Sequence, residues 1–324
     1  MYRNLEYFYK LNYLLKRYYL NDLSISEIKL HKSRIDKNSE KYLLDKELID
    51  ACSKEVGINI SNILKYNLLM LSNFRSEFTA VDNINLIQGS VYYILYCLMA
   101  DKLLDDKGSL VKSKTCYYSW KNIKHFITGN KRALGDTLFD NTFKLIYENL
   151  KIAEVNKANR YYVNKIVKDS IVSEFFISNI SLYDMNPSIP EKLIIDKSTR
   201  FVEASLIMTI MDLSPKIIEE AKLIAQAFSQ LSAWADDLMD IYSDIENLST
   251  NIVLYKTNIN FIDQNSCCNA IDIIIDTEIM ENCVKKIAEN LEYIKTHCNK
   301  KLYVFSKSML CDWFTDINNV LLLQ

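Results

Sequence analysis

The chain has 324 residues, with 39 Lys and Arg against 41 Asp and Glu, a net charge of −2, and 49% hydrophobic residues. That balance supplies a sizeable core but no global attraction for a polyanion, and no block of basic residues offsets it, so nucleic acid is not an expected partner. Five Gly and three Pro leave few places to break or turn the backbone, which points to an all-α chain of long helices with short connections.

Met1 to Lys10 mixes charges with aromatics and holds no continuous apolar core, so it does not read as a signal peptide. Residues 4–20 repeat Leu5, Phe8, Leu11, Leu15 and Tyr18 at helical spacing with basic residues between them. Two uses stay open for this stretch: packing against the core, or peripheral contact with a membrane. Residues 25–80 read as further helices with a basic, turn-like stretch near Lys32 to Lys37. They include Asn59 to Leu71 and close on Asn73-Phe-Arg75-Ser. Ser90 to Asp106 is apolar for nearly three turns, then places Asp101 and Asp105 one turn apart with Asp106 beside them. The longest apolar run of the chain, Val91 to Ala100, is about half of what spans a bilayer. With neither leader nor span, a cytoplasmic location is expected.

His125, after Trp120, reads as a surface residue. Helices are expected from Lys131 to Leu150 and from Asn159 to Leu182, followed by a loop at Met185-Asn-Pro-Ser-Ile-Pro190. Ile195 to Met211 forms the next helix and carries Lys197 and Arg200; Leu213-Ser-Pro215 marks its boundary. Phe228 to Ala235 is apolar or small apart from Gln230, with nothing to break a helix. Asp236, Asp237, Asp240 and Asp244 then arrive together. On a helix, 236, 240 and 244 share one face, where like charges repel by roughly 0.2–0.5 kcal/mol per pair. A hard cation cancels that repulsion: Mg²⁺ takes oxygen ligands from one or two carboxylates and completes its shell with water and substrate phosphates. The alternative is a solvated acidic end of a surface helix. Asn258 to Asn269 reads as a polar loop able to act as a lid, and helices Ala270 to Asn299 and Leu302 to Leu323 close the chain.

Two apolar helices that each finish in clustered aspartates would, facing each other, make an acidic mouth over a greasy cavity. A charged head group would sit on metal there, with a hydrocarbon tail below. Tyr92, Tyr93, Tyr96 and Trp234 are the candidate wall, and plain core filling is the competing role for each. The eight cysteines show no CxxC pair and the three histidines are isolated, so the thiols are expected reduced and no zinc site is expected. No repeat, low-complexity tract or linker divides the chain. It reads as one helical domain: N-terminal helices over 1–85, a core with both acidic segments over 86–255, and C-terminal helices over 256–324.

Asp236-Asp-Leu-Met-Asp240 followed by Asp244 resembles the second aspartate-rich motif of the trans-polyprenyl diphosphate synthases, within the class I isoprenoid synthases. Asp101-Lys-Leu-Leu-Asp105 resembles a degenerate first motif, with Lys102 where that family has a second Asp; a DxxxD core also occurs in the squalene and phytoene synthase branch. Ala133-Leu-Gly-Asp136-Thr-Leu138 resembles the Gly-Asp-x-Leu step that follows the first motif. Lys197-Ser-Thr-Arg200 resembles the Lys-Thr step that touches diphosphate, and Ser243 to Asn251 resembles the shortened tail of bacterial members. Order and spacing match from about Ser90 to Tyr255.

The resemblance implies a helical bundle around a central hydrophobic cavity, and an allylic prenyl diphosphate of C10 to C20 as substrate. It implies Mg²⁺ ions held by Asp101, Asp105, Asp236, Asp237, Asp240 and Asp244, with Lys197 and Arg200 at the diphosphate and Tyr92, Tyr93, Tyr96 and Trp234 around the tail. It also implies a homodimer. Tyr96 stands five residues before Asp101, where the family sets chain length by side-chain bulk, so a short C10 to C15 tail is expected. The sequence departs from the family in its second cationic site. Of the Gly-Lys-x-x-Arg-Pro segment that binds isopentenyl diphosphate only Arg75 remains, and Val111-Lys112-Ser-Lys114-Thr115-Cys116 replaces Arg-Arg-Gly. Lys offers a point charge in place of a planar fork, which weakens that site and leaves ionisation of an allylic diphosphate intact. Three functions follow as expectations: a terpene synthase that cyclises or rearranges the cation, a prenyltransferase, or a non-catalytic partner subunit, the last motivated by Lys102.

Overall fold

The computed structural model describes residues 2–20, 33–35, 37, 42, 44–105, 137–153, 155–178, 182, 185 and 189–322. Asp106, Val111 to Cys116, His125 and the Gly135-Asp136 pair lie outside them, and so do the side chains of Lys102 and Asp105. Every regular element among the described residues is a helix. They run α1 Tyr2–Arg17, α2 Lys46–Val56, α3 Ile60–Phe78, α4 Ile84–Asp105, α5 Leu138–Ile152, α6 Lys157–Ser178 and α7 Glu191–Met208. After these come α8 Pro215–Met239, α9 Ile241–Asn247, α10 Ile252–Tyr255, α11 Gln264–Asp276, α12 Ile279–His297 and α13 Lys300–Leu322. The all-α expectation holds. Contacts gather the chain into two compact units, one of Met1–His31, Phe176–Thr199 and Gln226–Gln324, the other of Lys32–Phe175 and Arg200–Ala225.

The second unit is built around α4. Leu86, Ile87, Val91, Tyr92, Tyr93, Ile94, Leu95, Tyr96 and Met99 are all buried, and a helix apolar on every side belongs inside a core. It packs against α2, α3 and above all α5. Gly89 sets that last approach: a Cβ there would stand 3.3 Å from Asn149 Cβ and 3.3 Å from Leu150 Cδ2. At the start of α2, Asp45 caps Leu48 N–H with its carboxylate and donates its own N–H to the Tyr92 hydroxyl at 2.8 Å. Gly57, at φ 71, closes the same helix in the left-handed region.

In the first unit α1 lays Tyr7, Leu11, Leu14 and Leu15 against α11, α12 and α13. Packing is therefore the use this stretch makes of its apolar face, while Tyr9 and Tyr13 stay 58% and 63% exposed. Lys10 Nζ donates to the carbonyls of Ile275 and Thr277 at 2.5 and 2.7 Å, groups left over where α11 ends. The single helix expected from Ala270 to Asn299 is broken there, at Thr277 and Glu278. The loop expected through Asn269 is also shorter than anticipated. Asp263 and Ser266 form a reciprocal capping box that starts α11 at Gln264. Among the described residues no helix is long and apolar enough to cross a membrane.

Candidate functional site

The acidic segment Asp236 to Asp244 sits where α8 ends. Phe228, Leu231, Ala235 and Leu238 are fully buried along one side of that helix, which turns Asp236 outward into solvent. One continuous helix through Asp244 was expected. The chain instead leaves helical geometry at Asp240 (φ −92, ψ 6), which precedes α9 without capping it through its side chain. The one-turn register survives the break. Asp240 N–H donates to Asp236 O at 2.9 Å, and Asp244 N–H donates to Asp240 O at 2.7 Å. Asp236 and Asp240 are exposed, and Asp244 is half-buried.

Asp237 behaves differently. Counted among the metal ligands from the sequence, it is turned into the protein: its Oδ2 accepts the Ile252 N–H at 2.6 Å, and its side chain is buried. Burial pushes its carboxyl well above the usual carboxylate range; the Ile252 N–H and the nearby Lys197 charge pull against that, while Asp244 and Asp236 add to it. Lys197 thus lies within electrostatic reach of Asp237. Trp234 and Asp237 line a cavity of about 10 Å³ with Ser198, Thr199 and Ile252, room for a single water.

Two residues that sequence reasoning passed over organise the segment from behind. Asn251 is fully buried. Its Nδ2 donates to the Asp237 carbonyl at 2.7 Å and to Asp244 Oδ2 at 2.8 Å, while its Oδ1 caps α10 by accepting from Val253 and Leu254 N–H. An Asn directly before an apolar Ile-Val-Leu run is an N-cap signal, so this cap was readable. The Tyr7 hydroxyl, also fully buried, donates to the Leu238 carbonyl at 2.8 Å. No local pattern announces a partner that far along the chain.

The remaining expected residues lie in the second unit, Trp234 excepted. Asp101 is half-buried near the end of α4. Tyr92 accepts the Asp45 N–H, Tyr93 donates to Ser170 Oγ at 3.3 Å, and Tyr96 meets Phe139 edge to face at 5.4 Å. All three fill the core of that unit. Arg200, expected at a diphosphate, pairs with the buried Glu203 carboxylate at 2.5 Å. Arg75, the remnant of an isopentenyl diphosphate site, is 1% exposed and bound on all sides by protein acceptors. A guanidinium so enclosed is a structural group.

Among the described residues no three His, Cys, Asp or Glu side chains stand close enough to hold a metal ion together. The acidic segment is therefore not a prebuilt cage. Its all-oxygen donors fit the other mode of Mg²⁺ binding, through one or two carboxylates with the shell completed by phosphate oxygens and water.

No family model matches the chain, and no curated protein sequence matches it. Among solved structures it is similar to linalool/nerolidol synthase from Streptomyces clavuligerus, at 11% identity over 85% of this chain and 96% of that one, with a TM-score of 0.50. It is also similar to a polyprenyl synthase from Caulobacter crescentus CB15, solved with calcium and isoprenyl diphosphate, at 10% identity over 90% of this chain and 97% of that one, with a TM-score of 0.51. Identity at this level carries the fold alone: the chain has the all-α isoprenoid synthase fold.

Proposed function

We propose that this chain is a Mg²⁺-dependent class I isoprenoid synthase that ionises an allylic prenyl diphosphate of C10 to C20, and that it works as a terpene synthase. The observation that carries this reading is the acidic segment itself: Asp236 and Asp240 exposed one turn apart, in a register kept by backbone hydrogen bonds across a helix break. The enclosure of Arg75 supports a cyclase over chain elongation, because it takes up the cation left from the isopentenyl diphosphate segment.

In the reaction the allylic C–O bond breaks and its electron pair leaves with the diphosphate. Asp236, Asp240 and Asp244 would hold Mg²⁺, which when bound supplies Lewis-acid stabilisation of the leaving oxygens. Lys197 adds positive charge as negative charge develops on the leaving group, the kind of preorganised electrostatics that lowers such barriers. The carbocation is discharged by losing a proton to the released diphosphate, giving an olefin.

The test is an incubation of the purified chain with Mg²⁺ and C10, C15 or C20 diphosphates, with and without isopentenyl diphosphate. A hydrocarbon formed without isopentenyl diphosphate is the expected result. A longer diphosphate formed only in its presence would make the protein an elongating prenyltransferase. No turnover under any condition would overturn both and leave a non-catalytic subunit.

A further inference from the structure

We infer that Tyr7 and Asn251 are positioning residues that hold the acidic segment open at Asp240; the functional consequence drawn below rests on the proposed isoprenoid synthase activity. In an unbroken helix the carbonyls of Asp237 and Leu238 accept from the N–H groups four residues on. Here they accept from side chains, Asp237 O from Asn251 Nδ2 at 2.7 Å and Leu238 O from the Tyr7 hydroxyl at 2.8 Å. Two adjacent carbonyls at the helix end are thus capped from outside, and the chain is released to turn at Asp240.

The two clamps act on different sides of the turn. Tyr7 comes from α1 and carries an aromatic wedge with it: the Tyr242 ring lies edge-on to Tyr7 at 5.6 Å and tilted against Phe8 at 5.8 Å. Tyr242 is the second residue of α9, so α1 grips both the last turn before Asp240 and the first turn after it. Asn251 ties the Asp237 backbone on one side to the Asp244 carboxylate on the other with a single amide nitrogen. Its amide has two donors, both used here, and its oxygen accepts two N–H groups. Only Gln shares that set of groups, and it is one methylene longer. The geometry therefore fixes Asp244 relative to the exposed pair Asp236 and Asp240, as outer hydrogen bonds fix the carboxylate ligands of metal sites.

The experiment uses the full chain as wild type, Tyr7→Phe and Asn251→Ser. The first change removes only a hydroxyl. The second keeps an N-cap for α10 but cannot reach both Asp237 and Asp244. Two quantities are read: amide hydrogen exchange over 237–249, and the Mg²⁺ concentration for half-maximal turnover of a prenyl diphosphate alongside its KM. Faster exchange confined to 237–249 is expected in both variants. The Mg²⁺ requirement should rise about 10-fold while the KM for prenyl diphosphate stays put. Unchanged exchange in that segment, exchange that quickens equally in α12 and α13, or a Mg²⁺ requirement that does not move would each overturn the inference. If the wild type turns over no diphosphate, the proposed function fails, and the exchange pattern alone then decides whether the clamp exists.

Discussion

Arg75 lays its guanidinium across both carboxylate oxygens of Asp212, Nη1 to Oδ1 at 2.8 Å and Nη2 to Oδ2 at 2.9 Å. Its Nε donates to Val81 O at 2.9 Å, Nη1 also donates to Thr209 O, and Asn83 adds a hydrogen bond to the same carboxylate. Within the second unit this knot joins the end of α3 to the turn after α7. Breaking a buried pair by removing one partner leaves an uncompensated charge, so Arg75→Met should destabilise the protein by roughly 3 kcal/mol. Chemical denaturation of the variant checks this. A variant as stable as wild type would mean the knot contributes nothing.

The same pair sets an acid limit. Burial raises the Asp212 carboxyl, but hydrogen bonds from Arg75 and Asn83 and the Arg75 charge outweigh it, leaving the group below the ordinary carboxylate value. Its contribution to stability is therefore complete above about pH 3.9, the unfolded value, and is lost as pH falls through the lower folded value. Denaturation midpoints followed from about pH 5 to about pH 2 should show a fall that Asp212→Asn removes.

Asp236 and Asp237 are neighbours with opposite fates. Asp236→Asn should reduce diphosphate turnover by at least about 100-fold while leaving the unfolding midpoint unchanged, since the side chain is exposed. Asp237→Ala strands the buried Ile252 N–H and should cost about 1–3 kcal/mol of stability. Matched activity and melting measurements on both variants separate the two roles. Full activity in Asp236→Asn would remove the metal assignment.

Two glycines offer a clean contrast. Gly57 has open space around the position of a Cβ, so Gly57→Ala should cost only the left-handed backbone strain, about 1–2 kcal/mol. Gly89→Ala instead meets Asn149 and Leu150 at 3.3 Å and must push α5 away from α4. Overpacking of that kind typically costs about 1–3 kcal/mol, and Gly89→Val should cost more than Gly89→Ala. At position 57 a larger residue unbranched at Cβ, Gly57→Leu, should add little to the cost of Gly57→Ala. Denaturation of the four variants tests the pattern.

Tyr96 fills the core of the second unit against Phe139. Tyr96→Ala should lower stability by about 3–5 kcal/mol, the cost of a large cavity. If its bulk also limits the prenyl tail, the variant that survives should accept a longer diphosphate than wild type. Unchanged length preference would assign the residue to packing alone.

The sequence by itself determined that the chain is all helix, because few Gly and Pro and repeated apolar faces leave the backbone no other economical choice. It also singled out Asp236, Asp240 and Lys197, since charge clustered beside an apolar run is visible without coordinates. Pro215 marked a helix boundary for the same local reason. What the fold alone decided is where each polar group finds its partner. Asp237 looks like its acidic neighbours in the sequence, but helix phase turns it inward to an N–H fifteen positions on. Arg75 and Arg200 look like substrate cations until Asp212 and Glu203 claim them. Tyr7 acquires its role from a carbonyl 231 residues away. Helical periodicity is a local property and is written in the order of residues; hydrogen-bond partnership across a core depends on which surfaces meet, and only packing settles that.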